Sequence, residues 1–391
     1  MDVFDKHYHT YRIVLKIIGL WPYNNSIYVW IQRLWLLIFI LGNIIFQIVS
    51  LLRSEITLQN CTLILFTTCP LTVVLLRYVG FVIFFPMIKL LFRHIRMEES
   101  MVQDSIETQI RTKYIDDSCH MIDIFFWIIY TTTAFCSISL LYPITLDFIN
   151  PLNESRTRII HYFTMFSHHR IIYIDILCLN YVFVAIISSL SVTCTESIFG
   201  LYSYHISVLF KIIGYRIQNI VTCLTIFNLS SKQIDSKLTE LYRVVDIHNQ
   251  AIELIDAINN SGIHMMPSFL IVISMAMNLH QLVSTIFRKD QLGILIFLIS
   301  FIVQLIIIFI CNYNSQILIN NSEELFHELY ISTWYFVPLK VQKILLLIMI
   351  RSSTTCMIHI LGVFTPCHAG FSTVIYLNKY IIIRIQTNRI F

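Results

Sequence analysis

The sequence predicts an all-α membrane protein with seven transmembrane helices, a cytoplasmic N-terminus and a cytoplasmic helical anchor layer. Three observations predict it. The chain of 391 residues is 57% apolar and only 13% charged, with a mean hydropathy of +0.72, whereas soluble domains are about 45–50% apolar and about 25% charged. It holds long stretches free of Asp, Glu, Lys and Arg. Its Lys and Arg residues fall unevenly between the connections.

The charge-free stretches are 34–52, 56–76, 124–146, 176–195, 265–287, 291–322 and 352–378. Each is near or above the roughly 20 residues that a helix needs to cross the hydrocarbon core. They predict spans near 28–52, 61–86, 122–146, 173–195, 265–287, 291–313 and 356–382. With the N-terminus inside, the inner segments carry 16 basic residues and the outer ones 8, which satisfies the positive-inside rule. An odd number of spans then puts the C-terminus outside. The expected organisation is a cytoplasmic N-terminus (1–27), six spans with long cytoplasmic extensions (28–313), a cytoplasmic anchor region (314–355), and a last, pore-lining span with the extracellular C-terminus (356–391).

The inner connections are long and helical in pattern. Residues 87–121 mix both charge signs, as a solvated helical connection does. In 196–264, Leu238, Leu241, Val245, His248, Ile252, Ile255 and Ile258 recur at helical spacing. Spans 4, 5 and 6 are therefore expected to continue as helices below the membrane. The segment from Ser332 to Ser352 is apolar but far too short to span. Val341, Ile344, Leu345, Ile348 and Ser352 form one stripe of a helix, Lys340, Lys343 and Arg351 sit at its edges, and Leu346, Leu347, Met349 and Ile350 make the other side apolar too. A helix apolar all round outside the bilayer core needs protein on every side, and a neighbouring subunit is the simplest source.

Little in the chain points to reaction chemistry. There is no phosphate loop, zinc-type Cys/His spacing or nucleophile elbow, so no enzyme activity, cofactor, metal or nucleic-acid partner is expected. The ten Cys show no disulfide pattern and read as small apolar fillers. His168-His169-Arg170 reads as a wet loop end. Arg33 and Arg77 are expected to snorkel from their spans to the inner surface. Of six Asn-x-Ser/Thr acceptors, Asn60 and Asn153 face outward in this topology, and Asn153, farther from the bilayer, is the expected glycosylation site.

Several blocks resemble the insect odorant receptor family, in particular its divergent hymenopteran members: Gly19-Leu20-Trp21-Pro22 before the first span, Glu196, Tyr204-His205, Leu209-Phe210 and Gly214-Tyr215-Arg216 after the fourth, His248-Asn249-Gln250-Ala251-Ile252, and above all Trp334-Tyr335, Pro338-Leu339-Lys340 and Leu345 to Ser352. The resemblance implies an odorant-gated, non-selective cation channel in the plasma membrane of a sensory neuron dendrite. It implies a heteromeric tetramer with the shared olfactory co-receptor. The anchor residues would be Trp334, Tyr335, Lys340, Val341, Ile344, Leu345, Ile348 and Arg351. The pore would be lined from the last span, with Phe371, Thr373, Lys379 and Tyr380 as counterparts of the family's pattern there. Pro366 falls inside that expected span, where it would kink a helix. Volatile ligands would bind in the outer half of the bundle. By depth, Phe66, Phe135, Ser139, Tyr142, Tyr173, Leu177, Tyr181 and Phe297 are the candidates, in a pocket expected to be apolar and aromatic with few polar groups. A G-protein-coupled receptor fits less well: span 3 ends in Pro143-Ile144-Thr145-Leu146 rather than an acidic-Arg-aromatic triplet, and Asn378-Lys379-Tyr380 lacks the expected proline. The block from Trp334 to Arg351 argues against a gustatory receptor of the same superfamily.

Overall fold

The computed structural model describes residues 7–24, 26–101, 104–150, 156, 158–166, 171–226, 230–261, 265–359 and 364–387. It is all-helical: α1 (His9–Ile17), α2 (Ile27–Arg53), α3 (Leu58–Ile83), α4 (Phe85–Met101), α5 (Ser105–Ile149), α6 (Ile171–Ile226), α7 (Ser231–Ser261), α8 (Met265–Arg288), α9 (Gln291–Ile331), α10 (Leu339–Ser352) and α11 (His368–Thr387). Short 3-10 turns occupy Ile159–Tyr162 and Trp334–Phe336. Among the described residues, six helices are long and apolar enough to cross a membrane: α2, α3, α5, α6, α8 and α9. The expected seventh, α11, has 20 residues, but Asn378, Lys379 and Arg384 dilute its apolar content.

The bundle has two different ends. At the loop end lie the connection after α5 and the α8–α9 turn. At the layer end, α5, α6 and α9 run on beyond the bilayer length, to 45, 56 and 41 residues. The extensions of α6 and α9 are as expected. The layer-end extension of α5 takes up half of the 87–121 connection, and the junction between α7 and α8, where span 5 would continue, lies outside the described residues. One hydrophobic core fills the layer and joins α1, α4, α7 and α10 to these extensions. The lipid-facing surface is apolar, with Leu34, Trp35 and Ile38 on α2, Ile176, Leu179 and Phe183 on α6, and Leu295, Leu298 and Ile302 on α9 all exposed.

Local chemistry explains the sequence blocks. Gly19 has φ +73°, a left-handed conformation that favours glycine. It turns the chain so that Leu20 and Trp21 are buried. Its carbonyl accepts from Arg33 Nε at 2.7 Å, and the Arg33 guanidinium stacks over Trp30 and Phe85 at 5.0 and 4.7 Å. Arg33 is therefore buried rather than snorkelling. Tyr78 and Tyr11 tie α1 and its exit to the bundle by donating to the Ile18 and Cys194 carbonyls, each at 2.9 Å. Arg216 grips Glu107 with two hydrogen bonds, at 2.7 and 2.9 Å.

On α10, Val341, Leu345, Ile348 and Ser352 are buried and Ile344 is half-buried. Lys340, Arg351 and Tyr335 are exposed, and Trp334 is half-buried. The opposite face is bare: Leu346, Leu347 and Ile350 are 44, 67 and 62% exposed. On α7 the buried stripe is Leu238, Leu241, Val244, Ile247, His248, Ala251, Leu254, Ile255 and Ile258. Val245 and Ile252, expected in it, are half-buried beside it.

The last span starts later than the sequence suggests. Ser353 to Cys367 is not helical where described, and α11 begins at His368. Side chains satisfy the backbone that a helix would otherwise satisfy. Ser322 Oγ accepts from the Cys356 amide and Asn259 Oδ1 from the His359 amide, each at 2.9 Å. Asn312 Oδ1 and Gln316 Oε1 then accept from Cys367 and His368, at 2.9 and 3.0 Å, which starts the helix. Pro366 thus lies outside the helix and kinks nothing.

Arg77 on α3 and Glu196 on α6 form an ion pair with both side chains buried, 4 and 3% exposed. Arg77 does not snorkel either. Cys311 on α9 donates to Glu196 Oε2 at 2.9 Å, so three helices meet there. Breaking such a pair from one side leaves an uncompensated charge, which costs about 3–5 kcal/mol, while replacing both partners with apolar groups is often neutral. Glu196→Ala is expected to lower the thermal midpoint of the detergent-purified protein sharply, and Arg77→Met combined with Glu196→Leu to recover most of it.

Burial and the nearby Arg351 cation push the His248 imidazole down to about 4, from its ordinary 6.5. The folded form therefore holds His248 neutral while the unfolded chain takes up a proton below 6.5. Stability should rise with pH between about 4 and 6.5 and be flat above that window as far as His248 is concerned. His248→Phe is expected to weaken this slope in pH-resolved thermal melts.

Candidate functional site

Within the loop-end half of the bundle, α3, α5, α6, α8 and α9 line a cavity of about 350 Å³. Phe66 to Arg77 lie along one wall, roughly 16 Å of helix at 1.5 Å per residue. The cavity is therefore elongated along the helices. Its walls are largely aliphatic, with Val73, Val74, Ile129, Leu140, Val184, Val192, Val303 and Ile307 among them. Small residues leave the space: Thr132, Thr133 and Cys136 on α5, and Ala185, Ser188 and Ser189 on α6.

The two ends differ in chemistry. The layer end is floored by Arg77 and Glu196. The loop end is roofed by Phe66, Phe163 and Tyr181. The Phe163 carbonyl accepts from Gln47 Nε2 at 2.9 Å and from the Tyr181 hydroxyl at 3.3 Å, and Gln47 also donates to Tyr181. Side chains of α2 and α6 thus hold the connecting segment over the cavity. Behind Phe66, Phe297 packs edge-on at 5.3 Å, and Tyr162 packs on Phe297 at 6.1 Å.

Charged groups fix this roof from above. Tyr162 donates to Asp290 Oδ2 at 2.7 Å, and Asp290 Oδ1 accepts from the Gly293 amide at the start of α9, at 3.1 Å. A Cβ on Gly293 would fall 2.6 Å from Asp290 and 2.9 Å from the Tyr162 ring, so only glycine fits without a shift. Partial desolvation raises the Asp290 carboxyl, but the Tyr162 hydroxyl and the Gly293 amide outweigh it and hold it below the usual carboxylate range. Arg158 bridges Asp147 and Asp175 at 2.6 and 2.8 Å, and Arg156 adds a contact to Asp147 at 2.5 Å. These hydrogen bonds overcome desolvation and lower Asp147, and the two carboxylates in turn raise Arg158 against its own burial.

Of the eight residues singled out by depth, Phe66 and Tyr181 line the cavity. Phe297 backs Phe66 without lining it. Leu177 packs in a separate cluster with Leu140, Ile160 and Cys178. Phe135, Tyr142 and Tyr173 point outward, 47, 59 and 47% exposed, and the half-buried Ser139 donates to the Phe135 carbonyl. Depth placed these four at the right level but not on the inward face. On α5 that face is Ile129, Thr132, Thr133, Cys136 and Leu140, a helical stripe legible as small polar residues interrupting an apolar run. The floor is not evident in the sequence because the partner that buries Arg77, Glu196, lies on another helix. On α11, Phe371 packs on Phe309 at 5.4 Å, whereas Thr373, Lys379 and Tyr380 are exposed. Asn153 and His168-His169-Arg170 lie outside the described residues.

The odorant receptor family model, "7tm Odorant receptor", matches residues 47–377. No curated protein matches the sequence. Among solved structures, the insect olfactory receptor OR5 from Machilis hrabei is similar, with a TM-score of 0.78 and 13% sequence identity, over 98% of each chain. The structure of the same receptor in complex with eugenol gives 0.76 at 13% identity, again over 98% of each chain. These likenesses extend the shared fold across the layer and the bundle together. With the family matched over most of its length, the chain belongs to the odorant receptor family: it is a multi-pass membrane receptor and not an enzyme.

Proposed function

We propose that this receptor is the odorant-binding subunit of a ligand-gated, non-selective cation channel, assembled with the shared olfactory co-receptor in the plasma membrane of a sensory dendrite. The cavity carries the reading. It is apolar and roofed by aromatic residues, as suits a site for a small volatile molecule. The eugenol complex of the Machilis receptor is consistent with a family that takes such ligands. In this reading the loop end faces outward, the N-terminus and helical layer face the cytoplasm, α11 is the seventh span, and Asn153 carries a glycan. Phe66 and Tyr181 contact the odorant directly.

The bare face of α10 supports assembly. Leu346, Leu347 and Ile350, together with Tyr335 and Phe336, leave apolar side chains exposed next to a well-packed core. A second subunit seated there completes the protein environment that this helix needs. Trp334, Val341, Ile344, Leu345 and Ile348 hold the helix from the inside, while Lys340 and Arg351 stay at its wet edges. The exposed side of α11, with Thr373, Lys379 and Tyr380, then faces a pore in this reading, and Phe371 anchors the helix to α9.

Co-expression with the co-receptor and a panel of volatile compounds tests the whole reading. An odorant-evoked cation current is expected with the co-receptor and none without it. An N-terminal epitope tag should stain only permeabilised cells, and glycosidase should shift the band of the wild type but not of Asn153→Gln. Staining of intact cells, or a full response without the co-receptor, overturns the corresponding part.

Ala185 lies on the cavity wall. Ala185→Trp is expected to fill the space and raise half-maximal odorant concentrations at least about tenfold, the loss of roughly 1.4 kcal/mol of binding, with surface staining kept. An unchanged dose–response curve would place the odorant elsewhere.

A further inference from the structure

Five cations gather at the layer end, where α1 leads into α2 and α3 leads into α4. On α4, Lys89, Arg93 and Arg96 stand at i, i+4 and i+7, one face of a helix. On α1, Arg12 and Lys16 stand at i and i+4, again on one face. Two aromatic residues of the turn after α1 join the stripes. The Arg12 guanidinium lies over the Trp21 ring at 5.2 Å, and Trp21 packs on Tyr23 at 5.7 Å. Lys89 Nζ and the Arg96 guanidinium lie over the Tyr23 ring at 6.0 and 4.7 Å. Lys16, Tyr23 and Arg93 are exposed, and Lys89 is half-buried. No Asp or Glu occurs from 6 to 54 or from 56 to 97. Among the described residues, Lys16, Lys89 and Arg93 form no ion pair. Like charges at i and i+4 destabilise a helix, and Arg12 with Lys16 and Lys89 with Arg93 are two such pairs.

We propose that this patch binds the headgroup of an anionic phospholipid, with a phosphorylated inositol lipid as its preferred occupant. Position supplies the first argument. The span α3 ends at Ile83 and the span α2 starts at Ile27, so the patch lies just beyond two adjacent span ends. Tyr28 and Trp30 are exposed at the start of α2, as suits residues at a membrane–water boundary. Charge supplies the second. Clusters of about four to eight Lys and Arg beside a span attract anionic lipid, and both side chains donate to phosphate oxygens. Geometry supplies the third. A general excess of inner cations leaves them scattered through the loops, whereas here two elements far apart in sequence bring theirs to one aromatic pair. A serine headgroup carries one net negative charge and leaves most of the patch unmatched, while an inositol headgroup with several phosphates matches more of it. In the orientation proposed above, the patch faces the cytoplasmic leaflet. The proposal depends on neither the odorant cavity nor the co-receptor.

The test uses the full chain purified in detergent and short-chain, water-soluble dioctanoyl lipids, with binding read by thermophoresis. The wild type is expected to bind phosphatidylinositol bisphosphate at least about tenfold more tightly than phosphatidylcholine, since each cation beside an anionic headgroup is worth roughly fivefold. Lys16→Gln, Lys89→Gln and Arg93→Gln combined are expected to bring the two lipids within about threefold of each other. Lys113→Gln, Lys232→Gln and Arg243→Gln combined remove the same charge from exposed positions on α5 and α7, and are expected to keep the preference. If the first triple variant does not fold, Arg93→Gln alone decides, with an expected loss of about threefold or more. Phosphatidylcholine bound as tightly as the bisphosphate, or an equal loss in the α5 and α7 control, overturns the site. Phosphatidylserine bound as tightly as the bisphosphate overturns the preference for an inositol lipid. Free inositol trisphosphate bound as tightly as the lipid overturns the lipid as occupant in favour of a soluble phosphate. None of these readouts involves an odorant or a current, so their failure leaves the odorant-channel reading standing, and a silent channel leaves the lipid site standing.

Discussion

The Arg77–Glu196 pair is the constraint on which the rest of the bundle depends. Neither charge is tolerable alone in a low-dielectric interior, so α3 and α6 can pack only in a register that brings the two together. Cys311 adds α9 to the same point. Beyond it toward the layer, α6 is buried almost continuously, and the core of α1, α4, α5, α7, α9 and α10 closes round it. On the other side the helices carry small residues and the cavity opens. The pair therefore marks the boundary between a dense half and a hollow half of one continuous set of helices.

The hollow half is held open by its two ends rather than by its walls. The floor is ionic. The roof is a loop segment whose backbone carbonyl is fixed by Gln47 and Tyr181 and whose aromatic rings stack down through Phe297 to Phe66. Above them, Arg158 between Asp147 and Asp175, and Tyr162 on Asp290, tie the ends of α5, α6 and α9. A loop placed over a cavity needs such partners, since its backbone has no helical ladder of its own.

The architecture was legible because bilayer helices announce themselves by lacking charge. Six of the expected spans correspond to helices, and the extensions of α6 and α9 were readable from periodicity and from a charge-free run too long for a bilayer. Three things were not legible, each for a physical reason. Arg33 and Arg77 look like snorkelling cations because their partners, the Gly19 carbonyl and Glu196, are 14 and more than a hundred residues away in sequence. The late start of α11 depends on side chains of α7 and α9 that satisfy an extended backbone, which no local propensity encodes. Cavity residues were chosen by depth, but a helix in lipid is apolar all round, so hydropathy does not say which face points inward. The stripe of Thr132, Thr133 and Cys136 marks that face by size, which hydropathy does not encode.

That last point explains how a hydrophobic bundle keeps a cavity at all. Apolar helices gain dispersion contacts by approaching, and an empty space forfeits them. Here approach is limited on every side: the ion pair fixes the spacing of α3 and α6, the roof fixes α2, α6 and α9, and branched side chains such as Val184 and Val192 line the walls without reaching across. The lost contacts are restored when a molecule of the right shape enters. Occupancy then strengthens the packing of the same helices that run on into the layer. A ligand shifts a conformational equilibrium only by its differential affinity for the two states, and a cavity bounded by α6 and α9, which continue without a break from roof to layer, gives the ligand contacts on elements common to both halves.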